Sequence, residues 1–136
     1  MIQEDKQLLL VDLCSRLPYG VICQMEDEMI INDSPFYDYI LSERHIELFR
    51  RHKGFYIKPY LRPMSSITEE EKKSLPFPWV YNFGVITSYS KSEGFVEIEH
   101  DECCTIIDWL NKKMLDYREL ISKGLALEAS EGMYNM

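Results

Sequence analysis

The sequence predicts an α+β domain, and three observations carry that prediction. The chain opens with leucines at helical spacing, its middle breaks into short aromatic and β-branched runs separated by turn residues, and its last third returns to helical spacing. A length of 136 residues is near the commonest domain size, and 46% hydrophobic with 28% charged residues is the composition of a globular chain rather than a disordered one. The expected architecture is an N-terminal helix, a small antiparallel sheet or meander, and a C-terminal pair of short helices. It forms one domain over residues 1–124, with residues 125–136 an irregular tail packed on it or extending from it.

Between Ile2 and Leu17, the residues Leu9, Leu10, Leu13 and Leu17 line one helical face, with Glu4, Asp5, Lys6, Asp12 and Arg16 available for the wet side. Pro18 and Gly20 end the helix. Val21 to Met25 and Met29 to Ile31 read as a hairpin across the acidic turn Glu26 to Glu28, and Asn32 to Pro35 is a further turn. Tyr37 to Leu41, His45 to Phe49 and Phe55 to Ile57 read as continuing the meander, although Ile46, Leu48 and Phe49 would also form a helical face. Pro59 and Pro63 bracket Tyr60 to Arg62, which reads as an extended connector laid across the sheet.

A short helix begins in Ser65 to Glu71, where Ser66 with Glu69 and Thr68 with Glu71 offer two capping boxes, and it ends before Pro76. Trp79 to Ile86 and Phe95 to Glu99 read as strands flanking the polar loop Ser88 to Glu93. Asp101 caps a helix carrying Cys103, Ile106, Ile107, Leu110 and Met114 on one side. Asp116 with Glu119 starts a second helix that Gly124 terminates.

The same letters exclude several function classes. A net charge of −8 and a pI near 4.9 oppose a large phosphate-binding footprint, so nucleic acid is not the expected partner. No run of eighteen apolar residues predicts a membrane span, and the N-terminus lacks the basic and long apolar regions of an export signal, so a cytoplasmic location is expected. Cys14, Cys23, Cys103 and Cys104 contain no CxxC and read as reduced thiols.

No phosphate-cradling glycine motif is present, and the Arg50 to Lys53 loop reads as a solvated turn, so no cofactor is expected. Glu97, Glu99, His100, Asp101 and Glu102 gather oxygen ligands around one imidazole. They lack metal-site spacing, however, and an acidic strand edge accounts for them, so no metal is expected either. His45, His52 and His100 pair with the thiols only on paper, without a nucleophile signature, and no catalytic residue is assigned.

The segments Leu17-Pro-Tyr-Gly20, Lys58 to Glu71, Asp108-Trp-Leu-Asn111 and Asp116-Tyr-Arg118 resemble a family of short uncharacterised proteins from gut-bacterial genomes and their prophages or mobile elements. That family has no assigned function. The resemblance implies a bacterial or phage cytosolic setting and a single fold unit joining the two ends and the centre.

An accessory protein-interaction domain is therefore the expected function, and the partner is a protein the sequence does not identify. Tyr60, Arg62 and Met64 of the proline-bracketed connector, with Tyr117 and Arg118, are the candidate interaction residues, being of types common in interfaces. For the first three, the plainer account is that the connector seals the sheet and Arg62 snorkels over it. The alternatives are a small enzyme using Cys/His or acidic residues and an acidic nucleic-acid mimic. An exposed strand edge would also permit a homodimer.

Overall fold

The computed structural model describes residues 2–26, 36–52, 54–73, 79–82, 85–90, 94–96 and 100–134, with side chains described for all of these except 72–73 and 79–104. It is α+β. Helix α1 (Gln3–Arg16) leads through a 3-10 turn at Leu17–Tyr19 into β1 (Ile22–Glu26). Strand β2 (Phe36–Ile40), helix α2 (Glu43–Arg51) and strand β3 (Ile57–Leu61) follow. After a second 3-10 turn come α3 (Glu69–Lys73), β4 (Trp79–Asn82), β5 (Val85–Ser90), β6 (Gly94–Val96), α4 (His100–Lys112) and the two-residue β7 (Leu127–Glu128).

The first sheet runs β2-β1-β3-β7. β1 is flanked antiparallel by β2, with Ile22 opposite Ile40 and Glu26 opposite Phe36, and by β3, with Cys23 opposite Pro59. The hairpin partner of β1 is thus Phe36–Ile40; the expected Met29 to Ile31 arm lies outside the described residues. β7 adds parallel to β3, making the sheet mixed, and its pairing starts at Tyr60, one residue past the amide-less Pro59. The expected connector from Pro59 is therefore largely strand. Strands β4, β5 and β6 form a separate antiparallel sheet, so the loop expected from Ser88 is strand as far as Ser90.

Alternation along β1 and β3 buries Cys23, Met25, Ile57, Pro59 and Leu61 on one face. Leu9 and Leu13 of α1 and Phe49 of α2 join that core, together with Met114, Leu120 and Leu125 from the C-terminal third. Each fully buried leucine contributes about 2 kcal/mol of apolar transfer. A second cluster, Ile106, Leu110 and Leu115, gathers α4, with its Trp109, against Met64, Ile67 and Tyr117.

Three expectations change. His45 to Phe49 is helical because Ser42 supplies an N-cap: its backbone N–H donates to His45 Nδ1 at 3.1 Å while Ile46 N–H donates to the Ser42 carbonyl. Burial, then the Arg44 charge, lowers the His45 pKa, which keeps that nitrogen an acceptor. Asp12 and Arg16, expected on the wet side of α1, are fully buried. The second C-terminal helix is instead a run of turns: Glu119 adopts φ 60°, a left-handed backbone in which helix cannot propagate.

The Asp116 carboxylate accepts Leu120 and Ile121 N–H at 2.8 and 2.9 Å, and Gly124, expected to terminate a helix, instead closes this run of turns at φ 73°. Met114 takes the equivalent position after α4 at φ 58°, with Leu115 N–H bonding back to the Leu110 carbonyl.

The tail is tied down. Tyr134 Oη accepts from Ile22 N–H at 3.0 Å and donates to the Tyr60 carbonyl at 2.7 Å, linking the tail to β1 and β3. Burial raises its pKa, so it remains a neutral donor. Tyr134→Phe strands both backbone groups and is expected to cost about 1 kcal/mol, read as a lower urea midpoint at unchanged slope.

Candidate functional site

The outer face of the first sheet gathers aromatic, basic and acidic side chains across three strands. Strand alternation sends Gln24, Lys58 and Tyr60 outward, Asp38 lies in register with Gln24, and Phe36 with Glu26. Tyr56 Oη donates to Gln24 Oε1 at 2.7 Å, and Tyr60 Oη reaches across β1 to donate to Asp38 Oδ1 at 2.8 Å. Both rings are thereby fixed over the sheet. Phe36 and Tyr56 meet with ring centroids 4.8 Å apart, and the Lys58 ammonium lies 5.4 Å from the Tyr56 centroid.

Neither phenol ionises near neutral pH. Burial raises the Tyr56 pKa, and burial followed by the hydrogen bond to Asp38 pushes Tyr60 up to about 12. The face therefore presents ring surfaces, the Lys58 ammonium and the two carboxylates of Asp38 and Glu26. β2 adds apolar surface: Ile40, on this face, is 63% exposed, while Tyr39, in register with the buried Cys23 and so on the opposite side, is 55% exposed.

The other candidate interaction residues are engaged within the chain. Arg62 Nη1 and Nη2 donate to the two Glu71 carboxylate oxygens at 2.8 and 2.6 Å, and the same guanidinium reaches the Lys113 and Ser66 carbonyls. Its backbone also bridges to the C-terminal corner, with Arg62 N–H on the Met114 carbonyl and Asp116 N–H on the Arg62 carbonyl. Thr68 with Glu71 is the capping box that forms: Glu71 N–H donates to Thr68 Oγ1 and Thr68 N–H to Glu71 Oε1, each at 3.1 Å. Met64 is half-buried against the α4 cluster.

Tyr117 and Arg118 close over a buried ionic cluster. Arg16 Nε donates to both Asp12 oxygens at 3.1 and 3.0 Å, Arg118 Nη1 donates to Asp12 Oδ1 at 2.7 Å, and Arg16 Nη2 donates to the Leu115 carbonyl at 2.7 Å. The Tyr117 ring takes both guanidinium groups, at 4.5 Å from Arg118 and 5.4 Å from Arg16, while its hydroxyl donates to Asn111 Oδ1. This arrangement fastens α1 to the C-terminal corner.

A groove of about 900 Å³ runs beside Arg62, Glu71, Lys113, Glu128 and Tyr134, with charges of both signs on its walls. The Cys23 thiol is buried at the core, and burial, then the Asp12 charge, pushes its pKa upward, the opposite of what a nucleophile needs. Cys103 and Cys104 lie in α4, outside the described side chains, and Glu97 and Glu99 lie outside the described residues. Among the described residues, no three His, Cys, Asp or Glu side chains gather around a metal-sized position, and no helix is long and apolar enough to cross a membrane.

Of the candidate interaction residues, the structure places Tyr60 on the outer sheet face, Arg62 and Met64 at the C-terminal corner, and Tyr117 and Arg118 on the ionic cluster. Phe36, Asp38, Ile40, Tyr56 and Lys58 join Tyr60 without having been singled out. For Tyr56 and Lys58 the signal was the two-residue period they share with Tyr60, which Pro59 obscured; Phe36, Asp38 and Ile40 join only through the register of β2 on β1. Comparison with protein-family models, with curated proteins and with solved structures gives no match to this chain.

Proposed function

We propose that this chain is a non-enzymatic protein-interaction domain, acting in the bacterial or phage cytosol that the family resemblance implies, and that it binds its partner on β2 and the adjoining outer face of the sheet. One observation carries the reading: of the six large hydrophobic residues most exposed among the described residues, Phe36, Tyr39 and Ile40 fall within five positions of β2. β2 also stands last in the order of the described strands, where an extended partner segment can add to a sheet. A second copy of this chain is a poor occupant, because two chains of charge −8 repel.

The test compares Ile40→Glu with Ile2→Glu, a substitution at another exposed apolar residue far along the chain. Circular dichroism should show both folded like wild type. A protein captured by wild type, purified and rebound, is expected to bind Ile2→Glu unchanged and Ile40→Glu at least tenfold more weakly. Equal binding to both would remove β2 as the contact surface.

A further inference from the structure

We infer that the partner segment is cationic, and that the outer sheet face recognises an arginine or lysine side chain of an extended peptide on the Tyr56 and Tyr60 rings, with Asp38 as its counter-charge. The inference rests on the docking surface proposed above and names the chemistry of what docks there.

The two tyrosines are held by their hydroxyls, Tyr56 on Gln24 and Tyr60 on Asp38, so their rings have little rotational freedom left to lose when a ligand arrives. Ring faces carry negative potential and attract cations, guanidinium groups most readily because they can also stack flat. The protein already uses this property at this place: the Lys58 ammonium sits 5.4 Å from the Tyr56 centroid, an internal cation on the same ring.

Asp38 is exposed and in register with Gln24 at the middle of the face, and a carboxylate retains acceptor capacity beyond its bond to Tyr60. Glu26, also exposed, adds a second negative charge opposite Phe36. The chain as a whole, at −8, draws cationic partners and repels phosphates. A strand added beside β2 places alternate side chains on this same face, which suits a peptide with a basic residue at every second position.

The full chain is titrated by calorimetry with three probes: a peptide alternating valine and arginine, the same peptide with glutamine for arginine, and a single-stranded oligothymidine. The arginine peptide is expected to bind, more weakly as salt rises, and at least tenfold more tightly than the glutamine peptide. Tyr56→Leu should weaken it about tenfold. Asp38→Asn keeps an acceptor for Tyr60 but removes the charge, and should weaken it severalfold. Lys58→Gln removes the internal competitor and should tighten it about threefold, an effect that a merely structural Lys58 would not give.

Equal binding of the glutamine and arginine peptides overturns cation recognition while leaving the docking surface intact. Binding of neither peptide overturns the inference, and whether the Ile40→Glu comparison still discriminates then decides the docking surface separately. Tyr56-dependent binding of the oligonucleotide in place of the arginine peptide also overturns it.

Discussion

Asp12→Ala is expected to destabilise the protein by about 3–5 kcal/mol. Asp12 is fully buried and is the only carboxylate bonded to either Arg16 or Arg118 among the described contacts. Removing it leaves Arg16, itself fully buried, with a backbone carbonyl at one end, the Tyr117 ring beside it, and an Nη1 that already lacks a partner. An arginine does not escape by losing its proton, so the uncompensated charge must be tolerated or the region must open to water. Because α1 and the C-terminal corner both close on this carboxylate, opening would expose Leu13, Leu115 and Leu120 together.

A chain of this size is held by roughly 5–15 kcal/mol in all, so the variant should melt roughly 10 °C or more below wild type and carry a visible unfolded fraction at 37 °C. The double variant Asp12→Leu/Arg16→Met separates the causes. If the cost is the orphaned charge, the pair of apolar residues should recover most of the loss; if Asp12 acts through its shape alone, the double variant should be no better than the single one.

The sequence carried α1 and the start of α3 more clearly than the ionic interior. Leu9 and Leu13 are as buried as their spacing predicts, and the Thr68 with Glu71 box forms as its letters prescribe, because both signals are local. Asp12 and Arg16 sit four apart on α1, a spacing equally suited to an exposed helical pair. What buries them is Arg118 and the Leu115 carbonyl, about a hundred residues later in the chain, and no local pattern reports such a partner. His45 to Phe49 is ambiguous by type: Ile46, Leu48 and Phe49 also suit a helical face, and the Ser42 cap settles the segment as helix with Phe49 buried on the core.

The outer sheet face was half legible. Tyr60 could be singled out from its residue type and its place between prolines, whereas Asp38 and Phe36 belong with it only once β2 is placed in register with β1. The left-handed Glu119, which ends any helix from Asp116, has no sequence signal because glutamate is not a residue that favours that backbone.

Glu71→Gln should cost about 2 kcal/mol at neutral pH and almost nothing in strong acid. The Arg62 guanidinium, through paired hydrogen bonds, holds the Glu71 carboxyl at about 2 against an ordinary 4.5, while burial works the other way. A carboxylate whose folded pKa lies below its unfolded one contributes stability that is fully present above the unfolded value and is lost as pH falls through the folded one. The window is therefore from about 4.5 down to about 2. The span of pKa corresponds to about 3 kcal/mol at most, and contact with solvent at the pair, 17% exposed on Arg62 and 13% on Glu71, brings the expected loss to about 2 kcal/mol.

Glutamine keeps one carbonyl acceptor for Arg62 and for the Thr68 cap, so α3 should still form and the difference should be one of charge. Denaturant titrations of wild type and variant at a series of pH values would then converge between about 4.5 and 2 as the wild-type carboxyl protonates. A gap that persists unchanged to pH 2 would assign the loss to geometry, and the Arg62 to Glu71 bridge would be a matter of shape, with its charge contributing little to the joint between β3, α3 and the C-terminal corner.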